Sequence, residues 1–537
     1  MALLEIKNLT FGYPHSGKVL NNISMDIQRG DFVAVCGPTG SGKTTLLRLL
    51  KPELTSLGDK SGEVFFNGVN TAELKSEESC KIGFVQQSPE HQIVTDKVWH
   101  EVVFGMENLH FDQSLMERRL AEIMAYFGID NLFDSKTDEL SGGQKQMVAL
   151  AGVLAMNPEV IILDEPTSQL DPVAASDFLT TLKKLNDALG LTVIISEHRL
   201  ENILPLCSKL CVLNDGTVAA YGEPQEAIKR VIDNERLTAL MPGTVRLYKS
   251  LGARGECPLN ISQGKEYFKE HFNPGMYSFE KEKTSSGNPA VKLKNVFFRY
   301  DKNSLDVLKD TSLEVYEGEI FCVLGSNGSG KSTLLYAIAG LLRPYSGKIE
   351  ILGQNIKKYR EQSLYDGCIA LLPQNVQTMF LRSTLKDEFD DLKIKFEDLP
   401  FDLSYAAGIH PYDLSGGEQQ LAAMAIALSA KPKVLLLDEP TKGLDNLAKS
   451  KICDELKKLR QRGLTVIIVT HDVEFAAQCA DRAALFFRGK PVCVDTPRKF
   501  FSENIFYTTS VAKIASGVCT GLIVPEDLNT FAGSAEQ

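Results

Sequence analysis

FVAVCGPTGSGKTTLL, residues 32 to 47, is the stretch that decides the fold. Phe32 to Cys36 is a short apolar run of the kind that forms a strand buried on both faces; a glycine-rich loop and a helical pattern follow it. A strand feeding a helix through G-x-x-x-x-G-K-[ST] builds a phosphate cradle. Its glycines let backbone N–H groups curl around an anion, and the helix directs its positive end at the same place. The stretch returns at 320 to 335 as IFCVLGSNGSGKSTLL. The candidate nucleotide contacts are therefore Gly37, Pro38, Thr39, Gly40, Ser41, Gly42, Lys43, Thr44 and Thr45 in the first copy. In the second they are Gly325, Ser326, Asn327, Gly328, Ser329, Gly330, Lys331, Ser332 and Thr333. Lys43 and Lys331 are the expected phosphate contacts, and Thr44 and Ser332 the expected magnesium ligands. A glycine-rich structural turn is the alternative, and recurrence with both Lys-[ST] pairs intact argues against it.

Working outward, the whole domain is duplicated. LEIKNLTFGY at 4 to 13 recurs as VKLKNVFFRY at 291 to 300. Gly37 and Gly325 are offset by 288 residues, whereas LSGG at Leu140 and at Leu414 is offset by 274, so the second copy is 14 residues shorter between those motifs. Short apolar runs alternating with longer helical patterns give an α/β fold class with a parallel sheet. The expected organisation is a first domain over 1–240, a linker over 241–289, a second domain over 290–520 and a tail over 521–537. In the linker Gly, Pro, Ser and mixed charges interrupt any sustained period, which predicts at most short local structure there. The last stretch, Asn529 to Gln537, is small and polar and is expected to fray.

The totals agree with two large units. At 537 residues, 43% hydrophobic and 24% charged, the chain has the composition of a globular protein with an ample core. A formal net charge of -11 disfavours nucleic acid as a partner. No run reaches 18 apolar residues, and the start, MALLEIKNLTFGY, alternates like a strand and contains Glu5; the expectation is neither a membrane span nor a signal peptide. The eleven cysteines lack CxxC spacing, and the nearest pair, Cys207 and Cys211, has no neighbours to complete a zinc site. They read as reduced core thiols of a cytosolic protein.

Two further stretches carry chemistry. VIILDEPTSQLD at 160 to 171 and VLLLDEPTKGLD at 434 to 445 each run an apolar strand into adjacent carboxylates. Asp164 and Asp438 are placed to hold magnesium, and Glu165 and Glu439 to polarise a water attacking the γ-phosphate. A carboxylate pair capping the next helix is the structural alternative.

Strand, phosphate loop, LSGG, DEPT and a distal histidine, in that order, resemble the ATP-binding-cassette family across nearly the whole chain. The resemblance implies two tandem P-loop nucleotide-binding domains, each with a mostly parallel sheet core, an antiparallel β subdomain and a helical subdomain. It also implies further roles. LSGGQKQ at 140 to 146 and LSGGEQQ at 414 to 420 match the family signature, so Ser141, Gly142 and Gly143, and Ser415, Gly416 and Gly417, are implied to reach ATP held by the opposite cassette. On its own, SGG reads as a helix cap. Tyr13 and Tyr300 occupy the place of the aromatic that stacks on adenine, with a core aromatic as the alternative. Gln87 and Gln374 fall where the Q-loop glutamine senses magnesium and the transmembrane partner. His198 and His471 take the switch-histidine position as catalytic residues beside Glu165 and Glu439, and Asp171 and Asp445 match the D-loop. Head-to-tail pairing within one chain would then give two ATP-hydrolysing sites, with Mg2+ bound alongside ATP.

SPEHQIVTDKVWHEVVFG at 88 to 105 is similar to the helix after the Q-loop in energy-coupling factor ATPases; NVQTMFLRSTLKDEF at 375 to 389 is a looser match. SEH before and at His198 departs from the usual threonine. The similarity implies a peripheral subunit on the cytoplasmic face of the cell membrane, with a transmembrane coupling subunit and a small membrane substrate-binding subunit as partners. Its importer would take up a vitamin, a vitamin precursor such as hydroxymethylpyrimidine or thiamine, or a metal ion such as cobalt. The alternatives are a soluble ribosome-associated tandem factor, which the acidic charge and non-basic linker disfavour, and a tandem sugar-importer ATPase.

Overall fold

The computed structural model describes residues 2–14, 17–168, 170–273, 287–360, 363–399 and 401–528. The chain divides into two units, Met1–Pro242 with Gly255–Asn260, and Gly243–Arg254 with Ile261–Gln537.

In the first unit β1 (Leu4–Gly12), β2 (Lys18–Ile27), β3 (Phe32–Cys36), β4 (Asp59–Phe66), β5 (Val69–Asn70), β6 (Ile82–Val85), β7 (Val160–Asp164), β8 (Thr192–Ser196), β9 (Lys209–Asn214) and β10 (Thr217–Gly222) make two sheets. The order β2-β1-β4-β5 is antiparallel, and β10-β9-β3-β8-β7-β6 is parallel except at its β9–β10 edge. Every residue of β3, β7 and β8 is buried, as their largely apolar sequences, FVAVC, VIILD and TVIIS, suit strands covered on both faces. Because β3, β7 and β8 are neighbours running in parallel, the loops at their C-terminal ends converge, and those loops contain Gly37, Glu165 and His198.

The second unit repeats this with β11 (Pro289–Phe298), β12 (Leu308–Tyr316), β13 (Ile320–Leu324), β14 (Ser346–Ile351), β15 (Gln354–Asn355), β16 (Ile369–Leu372), β17 (Val434–Asp438), β18 (Thr465–Val469), β19 (Arg482–Phe487) and β20 (Lys490–Asp495), ordered β12-β11-β14-β15 and β16-β17-β18-β13-β19-β20. A matching bulge interrupts β1 against β4 and β11 against β14. At the second bulge Gly347 has φ +92, and a Cβ there would lie 2.3 Å from the Asn295 carbonyl oxygen. Since the obstacle is backbone, Gly347→Ala is expected to destabilise the second unit by about 2 kcal/mol or more, read as a lower urea midpoint for its unfolding.

The helical regions account for the length difference between the copies. In the first unit Val98–Asn108, Gln113–Phe127 and Gly142–Ala155 pack around Val102, Met106, Met124, Val148 and Ala151. In the second unit the described residues of the corresponding stretch between Leu385–Asp391 and Gly416–Ser429 hold single 3₁₀ turns at Phe396–Asp398, Ser404–Ala406 and Pro411–Asp413 and no α-helix. The 15-residue helix Gln113–Phe127 has no helical counterpart there, close in size to the 14 missing residues.

The segment read as a linker is more structured than its punctuation suggested. It holds helices Gly243–Ser250 and Ile261–His271, whose Leu247 and Phe268, with Phe272 just beyond the second helix, pack with Val511, Ile514, Ala515, Leu522 and Leu528 inside the second unit. Arg246 Nη1 meets Glu526 Oε1 at 2.9 Å across that cluster. The tail therefore packs into it as far as Leu528, while the stretch expected to fray, 529–537, lies outside the described residues, as does 274–286.

Candidate nucleotide site

In both units a buried strand delivers the phosphate loop to a short helix, Lys43–Leu49 or Lys331–Ile338, entered through a left-handed glycine, Gly42 or Gly330. The lysine that opens each helix is about 95% buried. Lys43 Nζ donates to the carbonyls of Gly37 (2.9 Å) and Pro38 (3.2 Å), and Lys331 Nζ to those of Gly325 and Ser326, both at 2.9 Å. Each loop thus encloses a cation bonded by its own backbone. Ser41 Oγ and Ser329 Oγ, equivalent positions of the two loops, are buried without a hydrogen-bond partner, which suits an incoming anion.

Next to the loop the DE pairs stand at the ends of β7 and β17. Thr44 Oγ1 donates to Asp164 Oδ1 at 3.2 Å, and Ser332 Oγ to Asp438 Oδ1 at 3.1 Å. Burial, together with the neighbouring glutamate, pushes both aspartates up, against hydrogen bonds that favour the ionised form. Hydroxyl and carboxylate oxygens are the donors a hard divalent cation takes, and Asp438 Oδ2 is buried with no hydrogen bond of its own. Among the described residues no group of three or more His, Cys, Asp or Glu is placed to hold a metal. Magnesium here would draw its other ligands from phosphate and water.

Glu165 and Glu439 both have left-handed backbone, φ 44 and 51, unfavourable for a residue with a side chain and the same in both units. The turn brings each carboxylate to its histidine. His198 Nε2 lies 2.7 Å from Glu165 Oε1, and His471 Nδ1 lies 2.9 Å from Glu439 Oε2. Burial raises the Glu439 carboxyl, but the His471 hydrogen bond and charge, with Lys331 behind them, outweigh it and hold the group below its ordinary value. The capping alternative for these pairs is not what the structure contains. The following helices begin at Pro172 and Asn446, and their caps are Asp171, which accepts from Val173 N and Ala174 N, and Asp445, which accepts from Ala448 N.

The remaining candidates divide. Gln87 Nε2 donates to Glu165 Oε2 at 2.8 Å, whereas Gln374 is exposed and makes no matching bond to Glu439. Tyr13 and Tyr300 each hold the hydroxyl after the magnesium-ligand candidate, at Thr45 and Thr333, at 3.0 Å, and each sets its ring edge-on to a phenylalanine. Tyr300 is 60% exposed, so the core-aromatic alternative fails for it. Ser141 and Ser415 cap helices Gly142–Ala155 and Gly416–Ser429 through reciprocal bonds with Gln144 and Glu418.

Several contributors were not anticipated from the sequence. Ser196 Oγ donates to Asp164 Oδ1 at 2.8 Å and accepts from Glu165 N at 2.9 Å. Glu101 accepts from Val94 N, Thr95 N and Thr95 Oγ1, and Glu388 accepts from Leu381 N and Arg382 N, so the loop after each Q-loop candidate is closed by the same device. The looser second match, NVQTMFLRSTLKDEF, hides this equivalence because only the glutamate is shared.

The ABC transporter family profile matches residues 20–168 and again 308–442. An ABC transporter ATP-binding protein of Bacillus anthracis is 35% identical over 526 residues, covering 95% of each chain. The chain belongs to the ABC transporter family. The HMP/thiamine import ATP-binding protein YkoD of Bacillus subtilis is 32% identical, covering 94% of this ABC protein and 93% of its own length. A solved structure of cbiO1 from Clostridium perfringens, part of the ABC transporter complex cbiONQ, is 31% identical and covers 44% of this chain and 93% of its own, with a TM-score of 0.39. As an ABC transporter ATP-binding subunit the chain carries both cassettes on one polypeptide. Among its described residues no helix is long and apolar enough to cross a membrane.

Proposed function

We propose that the chain hydrolyses ATP at two sites and thereby energises an importer of the energy-coupling factor type, taking up a vitamin, vitamin precursor or metal ion. The observation that carries the two-site reading is the duplicated carboxylate–histidine pair, Glu165 with His198 and Glu439 with His471, each at the end of a parallel strand beside its own phosphate loop. Lys43 and Lys331 leave their loop carbonyls for the phosphates. Thr44 and Asp164, or Ser332 and Asp438, would hold magnesium, with Gln87 and Gln374 as the further candidates, and the ion would neutralise charge on the transferred phosphoryl group. Glu165 and Glu439 orient the attacking water, and His198 and His471 fix each glutamate and contact the γ-phosphate. Tyr13 and Tyr300 stack on adenine. The two halves pair head to tail, so that Ser141 to Gly143 complete the site of Lys331, and Ser415 to Gly417 that of Lys43.

The importer reading rests on the stretch from Ser88 to Gly105 and on the likeness to an HMP/thiamine import protein. It places the chain on the cytoplasmic face of the membrane, one copy per transporter, against a transmembrane coupling subunit and a small substrate-binding membrane protein. The test is to tag the chain in its native cell, extract membranes gently and identify what copurifies. A helical coupling subunit with a small membrane protein is the expected result. Ribosomes without membrane proteins, or the two large permeases of a sugar importer, would overturn it.

A further inference from the structure

The two duplicated sites differ most sharply one residue before each histidine. Position 470 is a threonine whose Oγ1 donates to Glu439 Oε2 at 3.2 Å, so it grips the candidate base directly. Position 197 is a glutamate, 3% exposed, and it grips something else: Oε1 accepts from both Thr167 N (3.1 Å) and Thr167 Oγ1 (2.7 Å). Its backbone N–H is spent on Val35 O of β3. A carboxyl therefore ties the turn that follows Glu165 to the loop that contains His198.

We propose that Glu197 is a positioning residue that makes the first ATP site unlike the second, bracing the Glu165 turn through Thr167 and placing a second carboxyl behind the base. The proposal rests on the reading of Glu165 as the residue that orients the attacking water. The charged groups facing Glu197 are few. Glu165 opposes its ionisation and Arg199 favours it, while the adjacent His198 is turned onto Glu165. Complete burial dominates, and with Glu165 it pushes the carboxyl up to about 7, against the Thr167 hydrogen bonds. An acid raised in the folded state from an ordinary 4.5 stabilises the fold most below 4.5, and that contribution is lost as pH rises through about 7. At neutral pH the chain thus keeps a carboxyl that costs it stability, where the other half uses threonine, and such a group is a candidate for function.

When Glu197 ionises, its bonds from Thr167 become charge-assisted, which holds the turn that carries Glu165 more firmly. Hydrolysis at the first site then increases with pH across neutrality, and the second site lacks this component. The test uses the full chain at saturating MgATP, with turnover measured from pH 6 to 8 for the natural sequence, Glu197→Gln, Glu197→Thr and Thr470→Glu. Glutamine keeps an oxygen for Thr167, so Glu197→Gln should match the natural rate at pH 6 and lower the pH 8 to pH 6 ratio by about two-fold, which corresponds to a first site whose own rate rises about three-fold while the second stays level. Glu197→Thr copies the second half and should lower the ratio equally, and Thr470→Glu should raise it. Rates reduced by one common factor at every pH would mean a purely structural role, and an unchanged ratio in both Glu197 variants would equally overturn the proposal. Failure of Glu165 as base would appear separately, as full turnover in Glu165→Gln.

Discussion

The full chain carrying both Glu165→Gln and Glu439→Gln is expected to retain MgATP and to hydrolyse it about 10²–10⁴-fold more slowly than the natural sequence. Glutamine preserves the size of each side chain and an oxygen to meet His198 or His471, so the buried cluster survives. What is removed is the charge that polarises water, and at Glu439 the surroundings actively maintain that charge, because His471 and Lys331 together overcome the effect of burial. Neither lysine nor the hydroxyl–aspartate pairs are touched, so nucleotide affinity should stay near its natural value. Phosphate release and equilibrium nucleotide binding, measured on one preparation, separate the two effects. Each single variant should lose at least about half of the turnover if both sites work. Unchanged turnover in both singles would remove the glutamates from the mechanism.

The second large effect is on binding. Lys43→Ala with Lys331→Ala should weaken ATP binding by about 10- to 150-fold per site, the loss of a hydrogen bond from a charged donor to phosphate. Each ammonium bonds two carbonyls of its own loop. Alanine therefore also leaves buried loop carbonyls without their donor, and the cradle loses its shape along with its charge. A fluorescent ATP analogue titrated into each single and the double variant reads this out. An affinity within about two-fold of natural would mean that these lysines serve only to order the loop.

Much of this was legible in the sequence because the informative features are local. The strand-loop-helix at Phe32–Leu49, the strands that end in Asp-Glu, and the serine that opens each LSGG helix depend on residues adjacent in the chain, and duplication supplied an internal control. Partner choice is not local. Whether Gln374 reaches Glu439 as Gln87 reaches Glu165, or whether Ser196 binds Asp164 where the second half has Val469, is settled by side chains brought together from different strands. Short amphipathic helices were also hidden. Gly243–Ser250 spans barely two turns, and Ile261–His271 includes Gly264, whose lack of a side chain reads as a break but lets the helix approach Ile514 closely. The missing helix of the second unit was visible only as a length difference, since 3₁₀ turns leave no periodic trace.

The cluster of Leu247, Phe268 and Phe272 with Val511, Ile514 and Leu522 has a practical consequence for anyone dividing the protein. Its two sides come from opposite ends of the second cassette's sequence. Cutting the gene at residue 289, where β11 begins, gives each fragment one half of an apolar joint. Produced alone, either fragment would present a sticky surface; produced together, they form a complementation pair that can rejoin without a peptide bond.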